Sequence, residues 1–369
     1  MADATLAAWL RLTLAPGVGP KTQRDLLGAF GGPEAVFSAG FAVVARVAGD
    51  PVARQLFDSD NAAAVDAALT WNEQPGNALV TLADPDYPRA LLDTPDPPSL
   101  LYVKGNAGLL NTPSLAIVGG RNATPQGLRD AEAFATHLAG QGITVVSGLA
   151  LGIDGAAHRG ALAAEGPTVA VVGTGADRIY PAQHRELARL VAARGAVVSE
   201  FPLGMPPLAH NFPRRNRLIA GLSAGCLVVE AALESGSLIT ARLAGELGRE
   251  VFAVPGSIHS PLSKGCHRLI KDGAKLVDDA ADILEELRWP AHAAATPSAT
   301  ALQASAPSAN DNPLLTVLGH GPATLDELVE RLAGGGANLT GEGVLAMLGT
   351  LELDGRIARL PGGRYQRLA

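Results

Sequence analysis

The stretch that decides the fold runs from Ser114 to Gly160: SLAIVGGRNATPQGLRDAEAFATHLAGQGITVVSGLALGIDGAAHRG. It opens with Ser114–Gly119, a short, continuously apolar run of the kind buried on both faces of a sheet. Apolar residues then recur at helical spacing through Gln126–Ala139, and a second strand-like run follows at Ile143–Ser147. Strand, helix and strand in succession predict a βαβ unit with parallel strands.

The alternation continues outward. Thr168–Gly173, Ala196–Ser199, Cys226–Glu230 and Glu250–Val254 read as strands rich in Val, and Gly155–Ala164, His184–Arg194 and Ser237–Leu247 read as helices between them. The fold class is therefore α/β, a Rossmann-like parallel sheet with helices on both sides, spanning residues 73–289. Asn77–Ala83 and Leu100–Gly105 are expected to form an additional edge or a small subdomain. Residues 1–72 read as a helical domain, with helix-like spacing in Leu6–Leu14, Arg24–Phe30, Phe41–Val47 and Ala62–Trp71. Residues 290–311, rich in Ala, Pro and Ser, hold nothing that can form a core and read as a flexible linker. Residues 312–369 form a small mixed unit.

Composition narrows the function. With 47% apolar residues the chain can bury a large core, and a formal charge of −7 argues against a general nucleic-acid coat while leaving room for one basic face. Two cysteines, Cys226 and Cys266, lie far apart and in no metal-ligand spacing, so neither a disulfide framework nor a zinc site is expected. The first residues lack a secretory pattern and no run of about 18 apolar residues spans a membrane, so a cytoplasmic protein without membrane contact is expected.

In a doubly wound sheet, ligands bind at the carboxyl ends of the strands. Those ends read Gly119-Gly120-Arg121, Ser147-Gly148, Gly173-Thr174-Gly175, Ser199-Glu200 and Glu230-Ala231. Small residues let a backbone approach a ligand, and the helix starts that follow offer free N–H groups to anions. No third Gly falls in dinucleotide register and no Walker A loop occurs, so no cofactor is expected. The densest basic cluster, Phe212-Pro213-Arg214-Arg215-Asn216-Arg217, opens an apparent helix Arg214–Leu222. Arginine at a helix start opposes the macrodipole and is easier to understand where it meets an anion, and Phe212 can stack on a base. Ser235-Gly236-Ser237 through Thr240 places hydroxyl donors at another helix entry. Asp154 and His158 stand at i,i+4, better read as a helix cap and a locally bonded histidine than as a metal or acid–base pair. Glu200 and Glu230 are expected to pair with nearby arginines. No nucleophile elbow or metalloprotease motif occurs. The chain reads as a binding protein rather than an enzyme.

Taken in order, Tyr87-Pro88, Leu101–Gly105, Ile117–Arg121, Val146–Asp154 with Ala157-His158, Ile179-Tyr180-Pro181, Ser199-Glu200, Phe212–Arg217, Ser235–Ala241 and Val254-Pro255-Gly256 resemble the DNA-processing protein A (Smf) family over about 200 residues. The resemblance implies a Rossmann-like domain that binds single-stranded DNA as a homodimer and helps place a RecA-type recombinase on incoming DNA during natural transformation. It places the strand-binding pocket on Arg121, Phe212, Arg214, Asn216, Arg217 and the Ser235–Thr240 loop. Two departures from the family pattern stand out. The usual Gly-Thr/Ser-Arg reads Gly119-Gly120-Arg121, and the expected Gly-Cys-Asn reads Gly265-Cys266-His267.

The flanking units offer secondary DNA contacts. Leu12–Phe30 looks like a helix-hairpin-helix motif whose Pro16-Gly17-Val18-Gly19 turn presents N–H groups to phosphate, with Lys21 beside it. The tail looks like a winged helix: helices at Pro313–Leu318, Leu325–Ala333 and Gly341–Leu353, then a hairpin wing. The third helix holds Glu342 and Glu352 and no basic residue, which favours a protein-facing or weakly contacting unit, with wing residues Arg356, Arg359, Arg364 and Arg367 as its DNA candidates. Two other readings remain. One is an enzyme similar to nucleotide phosphoribohydrolases, although the family's Pro-Gly-Gly-x-Gly-Thr loop and its Glu are missing at Glu234–Ala241. The other is a nucleotide sensor.

Overall fold

The computed structural model describes residues 3–289, 312–319, 321–334 and 340–368; the expected linker, 290–311, lies outside the described residues. Six helices come first: α1 (Asp3–Thr13), α2 (Pro20–Phe30), α3 (Pro33–Ala39), α4 (Phe41–Ala48), α5 (Asp50–Asp58) and α6 (Ala62–Asn72). Two of them, α3 and α5, are not among the helices expected from the sequence; both are short and carry a proline in their first turn. The chain continues through β1 (Asn77–Thr81), α7 (Arg89–Leu92), β2 (Leu100–Gly105), β3 (Ser114–Val118), α8 (Pro125–Gly140), β4 (Thr144–Ser147), α9 (Ile153–Ala163), β5 (Thr168–Val171), α10 (Arg185–Arg194) and β6 (Ala196–Ser199). Then come α11 (Asn211–Leu222), β7 (Gly225–Val228), α12 (Ser237–Glu246), β8 (Glu250–Ala253), α13 (Lys264–Lys271), β9 (Lys275–Leu276) and α14 (Ala280–Glu286).

The strands form one sheet in the order β1-β2-β6-β5-β4-β3-β7-β8-β9. From β6 to β9 every pairing is parallel, whereas β2 runs antiparallel to β6 and β1 antiparallel to β2. The two early strands are thus an added edge, not a separate subdomain. Strand order reverses between β3 and β7, which makes the carboxyl end of that pair the switch point of the sheet.

Alternation along β3 shows why its run is nearly all apolar. Ala116 and Val118 join a cluster with Leu218 and Ile219 of α11 and Ala241 of α12. Leu115 and Ile117 join another with Phe134 of α8 and Ala156 of α9. Both faces are covered, so the strand is apolar apart from Ser114 at its start, whose hydroxyl donates to the Leu222 carbonyl at 2.7 Å. The helical unit is joined to the sheet through a shared apolar cluster. Leu6, Trp9 and Leu10 of α1 and Trp71 of α6 pack with Leu79, Leu100 and Tyr102 of the antiparallel edge. On β1, the Leu79 amide donates to Asn72 Oδ1 at 2.8 Å and the Thr81 amide to Asp84 Oδ2 at 2.7 Å.

The tail holds α15 (Pro313–Leu318), β10 (Ala323–Thr324), α16 (Leu325–Gly334), α17 (Gly341–Leu353), β11 (Ile357–Leu360) and β12 (Arg364–Arg367). Its sheet has the order β10-β12-β11, and Leu314, Leu328, Val344, Leu348 and Tyr365 fill its core. This is a winged helix with β11–β12 as the wing.

Helices α8 and α9 approach closely because Gly160 has no side chain at their crossing. A Cβ there would lie 2.2 Å from the Glu132 carbonyl oxygen. Helix propensity alone favours Ala over Gly by about 1 kcal/mol. Here the overlap with fixed backbone outweighs it. Gly160→Ala is expected to lower stability by about 1–3 kcal/mol, read as a drop in the urea midpoint at unchanged m-value.

Candidate nucleic-acid interface

The β3–β7 switch point opens into a cleft of about 660 Å³. One wall is Gly119-Gly120-Arg121-Asn122 after β3. Phe212, Pro213, Arg215 and Asn216 of α11 form the second, and Ser235, Gly236, Ser237 and Thr240 at the start of α12 form the third. Gly152, at the N-terminus of α9 with φ of 79°, makes the first wall possible. A side chain there would meet the Gly120 carbonyl oxygen at 2.2 Å. The Gly120 amide donates to the Glu230 carbonyl at 2.6 Å, stitching the β3 and β7 ends together.

The aromatic and cationic groups of the cleft gather around Phe212. Tyr180 and Phe212 lie with ring centroids 5.6 Å apart, and the Arg121 guanidinium sits 5.7 Å from the Phe212 centroid. Arg121 is exposed. Among the described residues, no carboxylate lies within ion-pair distance of it. A guanidinium without an acidic partner beside an aromatic ring can hold an anion and a flat ring together. Tyr180 was absent from the expected site residues because Ile179-Tyr180-Pro181 follows no strand end directly; its place among the stretches that resemble the family was the available signal. Ser235 and Ser237 share a hydroxyl–hydroxyl bond of 2.7 Å, and the Asn216 amide nitrogen reaches the Gly236 carbonyl at 3.3 Å.

The basic cluster does not share one face. Helix α11 starts at Asn211, ahead of the expected start at Arg214, so its arginines stand beyond the first residues and on different sides. Arg215 is only 5% exposed. It donates to the Val171 carbonyl and, at 2.6 Å, to the Gly148 carbonyl. A Cβ on Gly148 would lie 2.6 Å from both an Arg215 nitrogen and Asp154 Oδ2, so the two charges share the space around that glycine. Asp154 also accepts the Gly148 amide at 3.1 Å. Burial pushes the Asp154 carboxyl up against the pull of Arg215, and pushes Arg215 down to about 10, still protonated near neutrality. Ser147 and Gly148 are likewise interior; the Ser147 hydroxyl donates to the Ile117 carbonyl at 2.6 Å. Ser147, Gly148 and Arg215, expected as ligand contacts, are thus buried with their polar groups bonded within the protein, although Arg215 still borders the cleft.

Arg214 and Arg217 face away from this cleft and pair with Glu200, which is 2% exposed. Burial raises the Glu200 carboxyl while Arg217 and Arg214 draw it down. The expected pairing of Glu200 is thus present. Glu230 instead caps α8, accepting the Thr124 amide at 2.8 Å and the Thr124 hydroxyl at 2.6 Å. Lys21 is exposed and paired with Asp25 at 2.7 Å, whereas Gly17 and Gly19 line a second cleft with Arg214. The wing residues Arg356, Arg359 and Arg364 are exposed. Among the described residues no cluster of His, Cys, Asp and Glu could hold a metal, and no helix is long and apolar enough to cross a membrane. Cys226 and Cys266 are buried, their thiols pushed up to about 12 by burial.

Fold and cleft define a Rossmann-like protein whose sheet opens at its switch point into a cleft lined by an exposed guanidinium and two aromatic rings, with a winged helix at its tail. Residues 78–288 match the family described as DNA recombination-mediator protein A, and residues 292–363 match the DprA winged helix domain. The chain belongs to that DNA-processing protein A family. It is 46% identical over 310 residues to Protein Smf of Escherichia coli K12, covering 82% of this chain and 81% of that one. The X-ray structure of DNA processing protein A from Streptococcus pneumoniae superposes with a TM-score of 0.68 at 38% identity, over 76% of this chain and 97% of that one. The Helicobacter pylori protein, solved for its single-stranded DNA binding mode, matches at a TM-score of 0.53 and 32% identity, over 58% of this chain and 97% of that one.

Two predictions separate support from contact. Arg215→Ala leaves Asp154 buried without its counter-charge and is expected to cost about 3–5 kcal/mol. Arg121→Ala, at an exposed site, should stay within about 0.5 kcal/mol of the parent; urea titration of both distinguishes them. The second concerns His158, fully buried beside Thr168. The Thr168 hydroxyl donates to the Val145 carbonyl, so His158 Nδ1 carries the proton it gives to Thr168 Oγ1 at 2.8 Å. Burial first, then the charges of His184, Arg215 and Arg159, lower its pKa from 6.5 to about 3. The unfolded chain therefore binds the proton that the folded one refuses. Stability is full above pH 6.5 and falls as pH drops towards 3. The decline should be shallower in His158→Gln, measured by denaturant midpoints across that window.

Proposed function

We propose that this chain binds single-stranded DNA in the cleft at the β3–β7 switch point and acts on it as a recombination mediator, not as an enzyme. The observation that carries this reading is Arg121: a guanidinium with no acidic partner among the described residues, set against the Tyr180–Phe212 pair on a rim of glycine and serine backbone. Stacking on an aromatic face is worth about 1–3 kcal/mol per base and tolerates every base, so little sequence preference is expected. The Ser235-Gly236-Ser237 entry to α12 supplies hydroxyl and amide donors for a backbone phosphate. The description of the matching family as a recombination mediator, and the binding mode studied in the Helicobacter pylori relative, support the same reading. A RecA-type recombinase as partner, a homodimeric assembly, and a role for incoming DNA in natural transformation belong to this proposal as its finer parts. The winged helix, with Glu342 and Glu352 on α17, is read as a protein-facing or weakly contacting unit.

Fluorescence anisotropy with a labelled poly-dT oligonucleotide tests the reading. Parent protein should bind with a log–log salt slope of about −0.7 per neutralised phosphate. Arg121→Ala and Phe212→Ala should each weaken binding about tenfold or more, a loss of about 1–3 kcal/mol. Unchanged affinity in both variants, or a mononucleotide that binds as tightly as the oligonucleotide, would overturn it.

A further inference from the structure

The helix-hairpin-helix turn does not project into solvent alone. It forms one wall of a second cleft, of about 420 Å³, whose other wall is built from Glu200, Phe201, His210, Asn211 and Arg214. Helix α11 thus stands between two clefts, with Phe212 and Asn216 turned to the first and Arg214 to the second.

Three features of this second cleft point to an anionic ligand. The first is the turn itself. Gly17 adopts φ of 72°, a conformation that favours glycine, and Gly19 precedes α2 with φ of −75°. Among the described residues, neither amide donates to an acceptor. The second is charge. Arg24 of α2 pairs with Asp96 at 2.7 Å, Arg217 pairs with both Asp96 and Glu200, and Arg214 pairs with Glu200. Of these groups only Glu200 and Arg214 line the cleft, and Glu200 is shared with Arg217 behind it, which leaves Arg214 only partly neutralised. The third is accessibility. Glu200 and Arg217 are held inside, but Arg214 keeps 44% of its side chain exposed, stacked 5.3 Å from the Phe201 centroid. A partly free, partly stacked guanidinium opposite unfilled backbone N–H groups is suited to a phosphodiester.

We propose that the second cleft is a phosphate-binding site for the same nucleic-acid strand, which leaves the first cleft, crosses the start of α11 and is gripped between the Gly17–Gly19 turn and Arg214. The inference rests on the reading of the first cleft as a single-strand site. It assigns the helical unit a direct part in binding, and it makes the strand length that the protein occupies depend on both units.

Gly19 supplies a clean probe. A Cβ there meets nothing within 4 Å and its backbone is ordinary for any residue. Gly19→Asp places a negative charge on the cleft wall at an N-cap position where Asp is well tolerated, and Gly19→Ala controls for the side chain alone. Anisotropy is measured with a labelled dT oligonucleotide of about five nucleotides and one of about twenty, across a salt series, together with Arg121→Ala. Gly19→Asp is expected to bind the short strand as the parent does, to bind the long one about tenfold more weakly, and to lose about 0.7 from the long-strand salt slope. Gly19→Ala should behave as the parent. Parent-like affinity and slope of Gly19→Asp on the long strand would overturn the second site. Failure of the first-cleft reading looks different: Arg121→Ala would keep full affinity for the short strand. A parent that binds neither strand would overturn both.

Discussion

The interaction on which the site depends is the buried meeting of Asp154 and Arg215 around Gly148. Arg215 reaches from α11 into the sheet and takes carbonyls at the ends of two neighbouring strands, β4 and β5. Asp154, at the start of α9, holds the amides of the intervening loop. A loop, two strand ends and a helix are thereby locked at one point. Taking two charges out of water is costly, and isolated pairs of this kind often add little net stability. What the pair does supply is position. It sets the height of α11 above the sheet, and the opposite sides of that helix then define both clefts. The charge itself is hidden, and the surface chemistry belongs to its neighbours.

Much of the sheet was legible in the sequence because burial on both faces leaves a plain mark. A strand such as Ser114–Val118, covered by α8 and α9 on one side and α11 and α12 on the other, can hold only apolar or small residues. The edge strands were visible for the same reason, but their antiparallel direction was not, since pairing sense is set by the connection and not by the strand's own residues. The glycine-bearing end of β3 does border the cleft at the switch point, as the topology of a doubly wound sheet leads one to expect.

The distribution of labour within Phe212–Arg217 was not legible. Four adjacent polar or basic residues carry no label for which way each points. That depends on where the helix begins, and a start at Asn211 instead of Arg214 rotates the assignment of every side chain. Arg215 turned inward, Asn216 faced the first cleft, and Arg214 and Arg217 were captured by Glu200. Glu230 could not be told apart from Glu200 by spacing, although one caps a helix and the other neutralises arginines. Both distinctions arise from contacts distant in the chain, where local pattern has no reach.

The finish of the nine-stranded sheet bears on how copies of this protein can meet. On β1, the outward amides of Leu79 and Thr81 are consumed by Asn72 and Asp84, and at the far side β9 is only two residues long. Among the described residues, neither border presents a long run of free amides to another chain. Strand addition is thereby disfavoured at both borders of this sheet, and with it the edge-to-edge growth that leads to fibrils. Any assembly built around the sheet is better served by helices and loops, whose side chains can be selective about their partner in a way that a bare strand border cannot.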